Sequence, residues 1–284
     1  MSRPVSFLSD FGHADEFVGV VHGVIRRISA DVEVIDVTHG IPRGNVRSGA
    51  LALTRAIQYL PNGVVLAVVD PGVGGERRAI AAETGWGYFV GPDNGLLAPA
   101  VAIVGGATRV VSLESKEFQL PHSGPTFDGR DVFAPAAAVL ASGEAELADL
   151  GPEAPPGSLT PLLLPLVEQI NGTVAGEVWW VDQFGNAETN VSPEDLESIG
   201  VLPGGLVTVR VGLQSRELEW RVDYGSGENP VVHVDSSGMI AVAVPGGRAD
   251  EELGMVEGTA VVFAPGGNSG ASRVSIQPRN KSQD

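Results

Sequence analysis

The chain has 284 residues, 43% hydrophobic and 19% charged, which excludes a disordered chain and is enough for two domains, or one large one, with a real core. Its formal net charge is −17 and Lys occurs only at 116 and 281, so nucleic-acid binding through clustered basic side chains is not expected. There is no Cys, which removes disulfides, thiolate catalysis and Cys-ligated metals.

In chain order, VSFL (5–8) reads as a buried strand stopped at Ser9-Asp10-Phe11-Gly12. DEFVGVVHGVIRRI (15–28) carries apolar residues close to helical period. VEVIDV (32–37) is a second strand, and Asn45 is placed to cap a helix over 46–59. VVLAVV (64–69) is a continuous apolar run, as inside a parallel sheet covered on both faces. GYFVGPDNGLL (87–97) is a strand, a turn and a helix start, and RVVSL (109–113) is a further strand. GRDVFAPAAAVLA (129–141) is helix-like, with Pro135 in an early turn or at a kink. The alternation predicts a Rossmann-like α/β layered domain over residues 1–152.

Five prolines between 151 and 165 disfavour helix and interior strand, so 153–170 is expected to be a Pro-rich linker. Beyond it, short strand-like runs such as GTVAGEVWWVD, LVTVRVG, LEWRVDYG and MIAVAVPGG alternate with Gly, Pro and Asp. They predict a small all-β barrel or sandwich over 171–277, with 278–284 as a frayed tail. No apolar run approaches the roughly 18 residues of a membrane helix. MSRPVSFLSDFG lacks the apolar centre of a signal peptide. A soluble cytoplasmic protein with no membrane partner is expected.

Ligands of open α/β sheets sit beyond the carboxyl ends of the strands. Asp10, Asp70 and Asp93 stand in turns at such ends, and each also suits a plain turn or cap. The loop DPGVGGERR (70–78) lacks the Lys of a P-loop and the G-x-G-x-x-G pattern, and an Asp at its mouth would repel phosphate. An Asp70–Arg77 pair across a bent-back loop is the better reading, with at least one of Arg77 and Arg78 expected in solvent. SGPTFDGRDVFAP (123–135) sets Thr126, Asp128, Arg130 and Asp131 at a helix start, where capping is the simpler role. VDQFGNAETN (181–190) sets an aromatic among amides, which suits a nucleobase or, more plainly, a hairpin turn with side-chain-to-backbone bonds. The five His show no metal-ligand spacing and there is no G-x-S-x-G elbow, so neither a metal centre nor a serine hydrolase is expected.

LSDFGHADEFVG, VVDPGVGGERR, GPDNGLL, TFDGRDVFAP, VDQFGNAETN and DSSGMIAVAV together resemble one family: the S-adenosylmethionine (SAM) hydroxide adenosyltransferases, or SAM hydrolases, related to the fluorinase and chlorinase. The six stretches occur in the family's order and cover nearly the whole chain. The resemblance implies an N-terminal α/β domain and a C-terminal β-barrel. It also implies a homotrimer with active sites between one subunit's N-domain and a neighbour's C-domain. By motif position, Asp10 would hold the ribose hydroxyls. Asn186 and the backbone around Val244 would bind adenine, with Phe184 nearby. Asp15, Asp182, Ser236 and Ser237 would lie near the methionine part. Asp70 and Arg77 would be two members of the hydrolases' Asp–Arg–His triad.

The sequence departs from the pattern twice. Asp128 stands where the family has His in TFHGRD, with His122 a second candidate for the third member. Ala241 stands where the hydrolases usually carry Glu near the adenine. The expected reaction is attack of water at the ribose C5′ of SAM, giving adenosine and L-methionine without a cofactor, with Asp70, Arg77 and Asp128 as the catalytic group. The alternatives are a halide adenosyltransferase and a non-catalytic SAM or adenosine sensor. Halide enzymes of the family carry Tyr in place of Asp70, and the fluorinase has a Ser halide contact in place of Gly129.

Overall fold

In the computed structural model, residues 2–267 are described, except 122, 123, 125, 225, 226 and 228. His122 and the tail 278–284 thus lie outside the described residues. The chain divides into two compact units, 1–164 and 165–284.

The first unit is built on the alternation within its apolar strands. In β3 (Val64–Val68), Val64, Leu66 and Val68 join one core, while Val65 and Ala67, with Val69 just beyond, join another. Successive side chains of a strand point to opposite faces, so an unbroken apolar run demands cover on both. One face receives α1 (Phe17–Ile28) and α4 (Ala134–Ser142), through Val21, Ile25 and the alanines of α4. The other receives α2 (Val46–Ala56) and α3 (Ala98–Ile103), through Ala50, Leu53, Ala100 and Val101. The result is three layers, as the alternating pattern predicts.

The sheet order is β2 (Val34–Thr38), β1 (Val5–Ser9), β3, β5 (Tyr88–Pro92), β4 (Ala79–Thr84), β6 (Ala107–Ser112), β7 (Glu153–Ala154). β1 (Val5–Ser9) pairs in parallel with β2 (Val34–Thr38) and with β3, and β3 with β5 (Tyr88–Pro92). The chain moves outward from β1 to β2 and then crosses back to β3. β1 and β3 therefore flank the point where strand order reverses, the usual place for a ligand crevice. Asp10 and Asp70 lie at the carboxyl ends of these two strands.

Three differences from the sequence reading have local causes. β4 (Ala79–Thr84), which the sequence reading passed over, is a strand antiparallel to β5 and to β6 (Ala107–Ser112). The sheet is thus mixed. The helix at 46–59 changes at Ile57 into a 3-10 turn, although Asn45 caps its start by accepting from the Ser48 N–H at 3.0 Å. The helix at 129–141 opens as a π-type turn over Gly129–Phe133. Pro135 has no N–H to offer Asp131, whose carbonyl instead accepts the Leu120 N–H at 2.9 Å.

Within the proline-rich stretch, β7 (Glu153–Ala154) pairs with β6. Thr160 donates its N–H to Asp93 at 2.7 Å. The stretch up to 164 thus belongs to the first unit.

The second unit contains β8 (Glu168–Ile170), β9 (Thr173–Val181), β10 (Ala187–Thr189), β11 (Leu206–Val211), β12 (Gln214–Trp220), β13 (Val231–Val234), β14 (Ile240–Ala243) and β15 (Ala260–Pro265). Its sheet runs β10-β14-β13-β12-β11-β15-β9-β8, and β10 also pairs with β9. That pairing closes seven strands into a barrel, which decides between barrel and sandwich. Val178, Val207, Val232, Val242 and Phe263 fill it. LEWRVDYG, read as one strand, is instead the end of β12 and the residues after it. The two-residue turn at Gly212-Leu213 starts the strand at Gln214.

Candidate active site

The loop after β3 is a tight coil. The Val73 N–H donates to the Asp70 carbonyl at 3.3 Å, the Gly75 N–H donates to the Gly72 carbonyl at 2.9 Å, and Gly74 takes φ +74°. This curl returns Arg77 to Asp70. Arg77 Nε lies 3.1 and 3.0 Å from the two Asp70 oxygens, and Nη2 lies 2.5 Å from Oδ2. The same Nη2 donates to Asp128 Oδ2. One guanidinium thus bridges two carboxylates, one 7 and the other 51 residues from it in sequence.

The cluster is nearly dry: the side chains of Asp70, Arg77 and Asp128 are 5%, 14% and 13% exposed. Burial by itself would lower the Arg77 pKa, but hydrogen bonds to Asp70 and Asp128 outweigh it and raise the value above the ordinary one. The Arg77 guanidinium also lies 5.6 Å from the centroid of the Phe133 ring. The cluster keeps one formal negative charge.

Asp128 begins the π-type turn, yet its side chain makes no cap bond. Its carboxylate is spent on Arg77, so capping is not its role. Gly129 beside it is confined: a Cβ there would come within 2.9 Å of the Phe11 ring.

Asp10 holds the next loop, accepting the Gly44 N–H at 2.7 Å. Asp15 lies exposed in the bend before α1. Arg78 is not in bulk solvent as expected of one of the two arginines. It donates to Asp93 at 2.9 and 2.5 Å and to the Ser158 carbonyl at 2.5 Å. Asp93 is therefore a clamp between β5 and the stretch 158–160, beyond a plain turn.

In the second unit, Asp182 organises the turn between β9 and β10. Its Oδ1 accepts the N–H groups of Phe184 and Asn186, both at 2.9 Å, and its Oδ2 accepts Asn186 Nδ2 at 2.7 Å. The hairpin-turn reading thus holds for the backbone, while Phe184 stays 69% exposed. Phe184, Asn186, Tyr224, Val244 and Gly246 line one groove. Tyr224 was missed in the sequence, where it looked like part of a strand.

Ser236 and Ser237 occupy the turn between β13 and β14, at the other end of β14 from Val244. At about 3.3 Å per residue, the four residues of β14 separate the two groups by about 13 Å. Asp235 shapes that turn by accepting the N–H groups of Ser237 and Met239 at 2.8 and 3.0 Å. Ala241 pairs across the ladder with Glu188 of β10. Directly opposite residues share a face, so a carboxylate stands one strand away from the position where the resemblance expects Glu.

The family model described as the SAM hydroxide adenosyltransferase N-terminal domain matches residues 5–151, and that of the C-terminal domain matches 176–262. An "(R)-S-adenosyl-L-methionine hydrolase" of Salinispora tropica is 48% identical over 89% of this chain and 95% of its own. One of Thermus thermophilus is 43% identical over 91% of this chain and 98% of its own. A fluorinase of Actinopolyspora mzabensis is more distant, 29% identical over 85% of this chain and 91% of its own. A crystal structure of an uncharacterized conserved protein from Thermotoga maritima superposes with a TM-score of 0.84 at 34% identity, covering 92% of this chain and 99% of that one.

Proposed function

The chain belongs to the SAM hydroxide adenosyltransferase family, and from that premise we propose that it hydrolyses S-adenosyl-L-methionine to adenosine and L-methionine. The names of its relatives specify the R epimer at the sulfonium, and we assign the same epimer to this chain. Water attacks C5′ of the ribose, the C5′–S bond breaks with its electron pair going to sulfur, and neutral methionine leaves. One proton is released. The sulfonium is already a good leaving group and no electrons are exchanged, so the chemistry requires neither a Lewis acid nor a redox cofactor.

What the enzyme must supply is a positioned nucleophile. Holding a water in line with the C5′–S bond removes its orientational entropy. In this reading Asp70 accepts a hydrogen bond from that water, while Arg77 fixes the carboxylate and Asp128 fixes Arg77 from the other side. Asp10 holds the ribose hydroxyls, and Asp15, Asp182, Ser236 and Ser237 serve the methionine part. Asn186 and the backbone at Val244 bind adenine beside Phe184.

The observation that carries the choice of water is the buried Asp70–Arg77–Asp128 cluster with its net negative charge. Two unit charges of like sign at 4 Å repel by about 4 kcal/mol at an effective dielectric of 20. A halide beside Asp70 would meet that repulsion. A Ser at 129, where the fluorinase contacts halide, would collide with Phe11.

Among the described residues, the Asp70–Arg77–Asp128 cluster belongs to the first unit and the groove of Phe184 and Asn186 to the second. This supports the homotrimer with composite sites between subunits. Incubation with SAM, with and without chloride, tests the reading. Adenosine and methionine in both cases support it, 5′-chloroadenosine supports halide transfer, and tight binding without product supports a sensor.

A further inference from the structure

His22, Asp36 and His39 are far from any metal-binding spacing in the sequence, yet the fold gathers one ligand atom from each within 4.8 Å of the others. We propose that they form a binding site for a divalent first-row transition ion, of which zinc is the type.

The three residues come from three segments: His22 from the middle of α1, Asp36 from β2, and His39 from the turn after it. Both imidazoles direct Nε2 at the same oxygen, Asp36 Oδ1, at 2.8 and 3.0 Å. Zinc bonds to nitrogen and oxygen of about 2.0–2.2 Å at a tetrahedral angle put neighbouring ligand atoms about 3.3 Å apart. Exchanging the hydrogen bonds for metal bonds therefore lengthens the two carboxylate–imidazole distances by only about 0.3–0.5 Å, and the third pair already lies within 4.8 Å.

His39 is held as a metal ligand must be held. Its side chain is fully buried, and its ring packs against Phe7 at 4.5 Å between centroids. Its remote nitrogen, Nδ1, lies 2.8 Å from Ser9 Oγ. A ligating imidazole usually passes its other N–H to such an outer partner, which fixes the ring and its tautomer. His22 and Asp36, at 32% and 43% exposure, leave the other side of the cluster open to solvent. An ion can enter there and keep a water as its fourth ligand. Two imidazoles with one carboxylate favour zinc, cobalt or nickel over magnesium or calcium, which take oxygen ligands.

The site shares no residue with the Asp70–Arg77–Asp128 cluster, and hydrolysis does not call for it. Its effect is to brace the fold: the His39 carbonyl accepts the Gly12 N–H at 2.8 Å, so an ion at His39 ties the loop behind Asp10 to α1 and β2.

The test is zinc content by plasma mass spectrometry after loading and exhaustive dialysis, with cobalt absorption as a second readout. The wild type should retain one zinc per chain and give the visible absorption of tetrahedral cobalt. His22→Ala, at a partly exposed position, should lose both while keeping wild-type SAM turnover. Ser9→Ala should weaken zinc binding by about 10- to 100-fold. No retained zinc in the wild type, or retention equal in His22→Ala, would overturn the site.

Discussion

Arg77 holds two carboxylates with one guanidinium, and this arrangement sets different costs for each partner. In the proposed reading Asp70→Ala removes the acceptor for water: kcat should fall about a hundredfold or more while SAM affinity, read by calorimetry, stays near that of the wild type. Unchanged turnover would take Asp70 out of the mechanism. Arg77→Ala leaves two nearly buried carboxylates without their cation, a change that typically costs about 3–5 kcal/mol. Chemical denaturation should show that loss, and Asp128→Asn should show a much smaller one. The Asp70–Arg77 pair was legible in the sequence, because a loop of Pro and Gly between them can only curl or flail. The Asp128 partner came only through the resemblance, since the residues alone suggested a helix cap. Its short distance to Arg77 depends on where the α4 entry lands against the sheet, a tertiary fact with no local signature. His22, Asp36 and His39 were illegible for the same reason.

At the scale of elements, each half of the candidate site rests on a turn with one demanding glycine. Gly185 adopts φ +87°, and a Cβ there would approach Arg248 Cβ to 2.6 Å. Arg248 also donates to the Gln183 carbonyl at 2.9 Å and pairs with Asp250 at 2.9 Å, so the same side chain fastens the turn that carries Phe184 and Asn186. Gly185→Ala should therefore raise KM for SAM at least several-fold with little change in kcat; a lower kcat at unchanged KM would refute this assignment. The hydrogen bond from Arg248 lowers the Asp250 pKa below its ordinary value. Its stabilising effect is present above the ordinary Asp range and is lost as pH falls through the depressed pKa. Stability curves of the wild type and Asp250→Asn should differ at neutral pH and converge in acid, as followed by Trp fluorescence.

Most elements were legible, because VVLAVV and FVGVVHGVI state their periods plainly. β4 was overlooked because AIAAET lacks β-branched and aromatic density. The π-type entry to α4 was half visible: Pro135 announces a lost hydrogen bond but not how the neighbouring turn absorbs it.

For the whole molecule, the proposed catalytic cluster lies in one unit and the proposed adenine groove in the other. If the sites are composite between subunits of a trimer, inactive Asp70→Ala and inactive Asn186→Ala chains should complement each other when unfolded and refolded together. About a quarter of the sites in a random equal mixture would then draw both intact halves. Activity near that fraction supports composite sites, and none at all contradicts them. The central claim concerns where water attacks. Turnover of the R epimer of SAM in water enriched in oxygen-18, with chloride present, tests it most directly by mass spectrometry of the products. The account predicts adenosine carrying the label in its 5′-hydroxyl beside unlabelled methionine. Methylthioadenosine, 5′-chloroadenosine or unlabelled adenosine would contradict it.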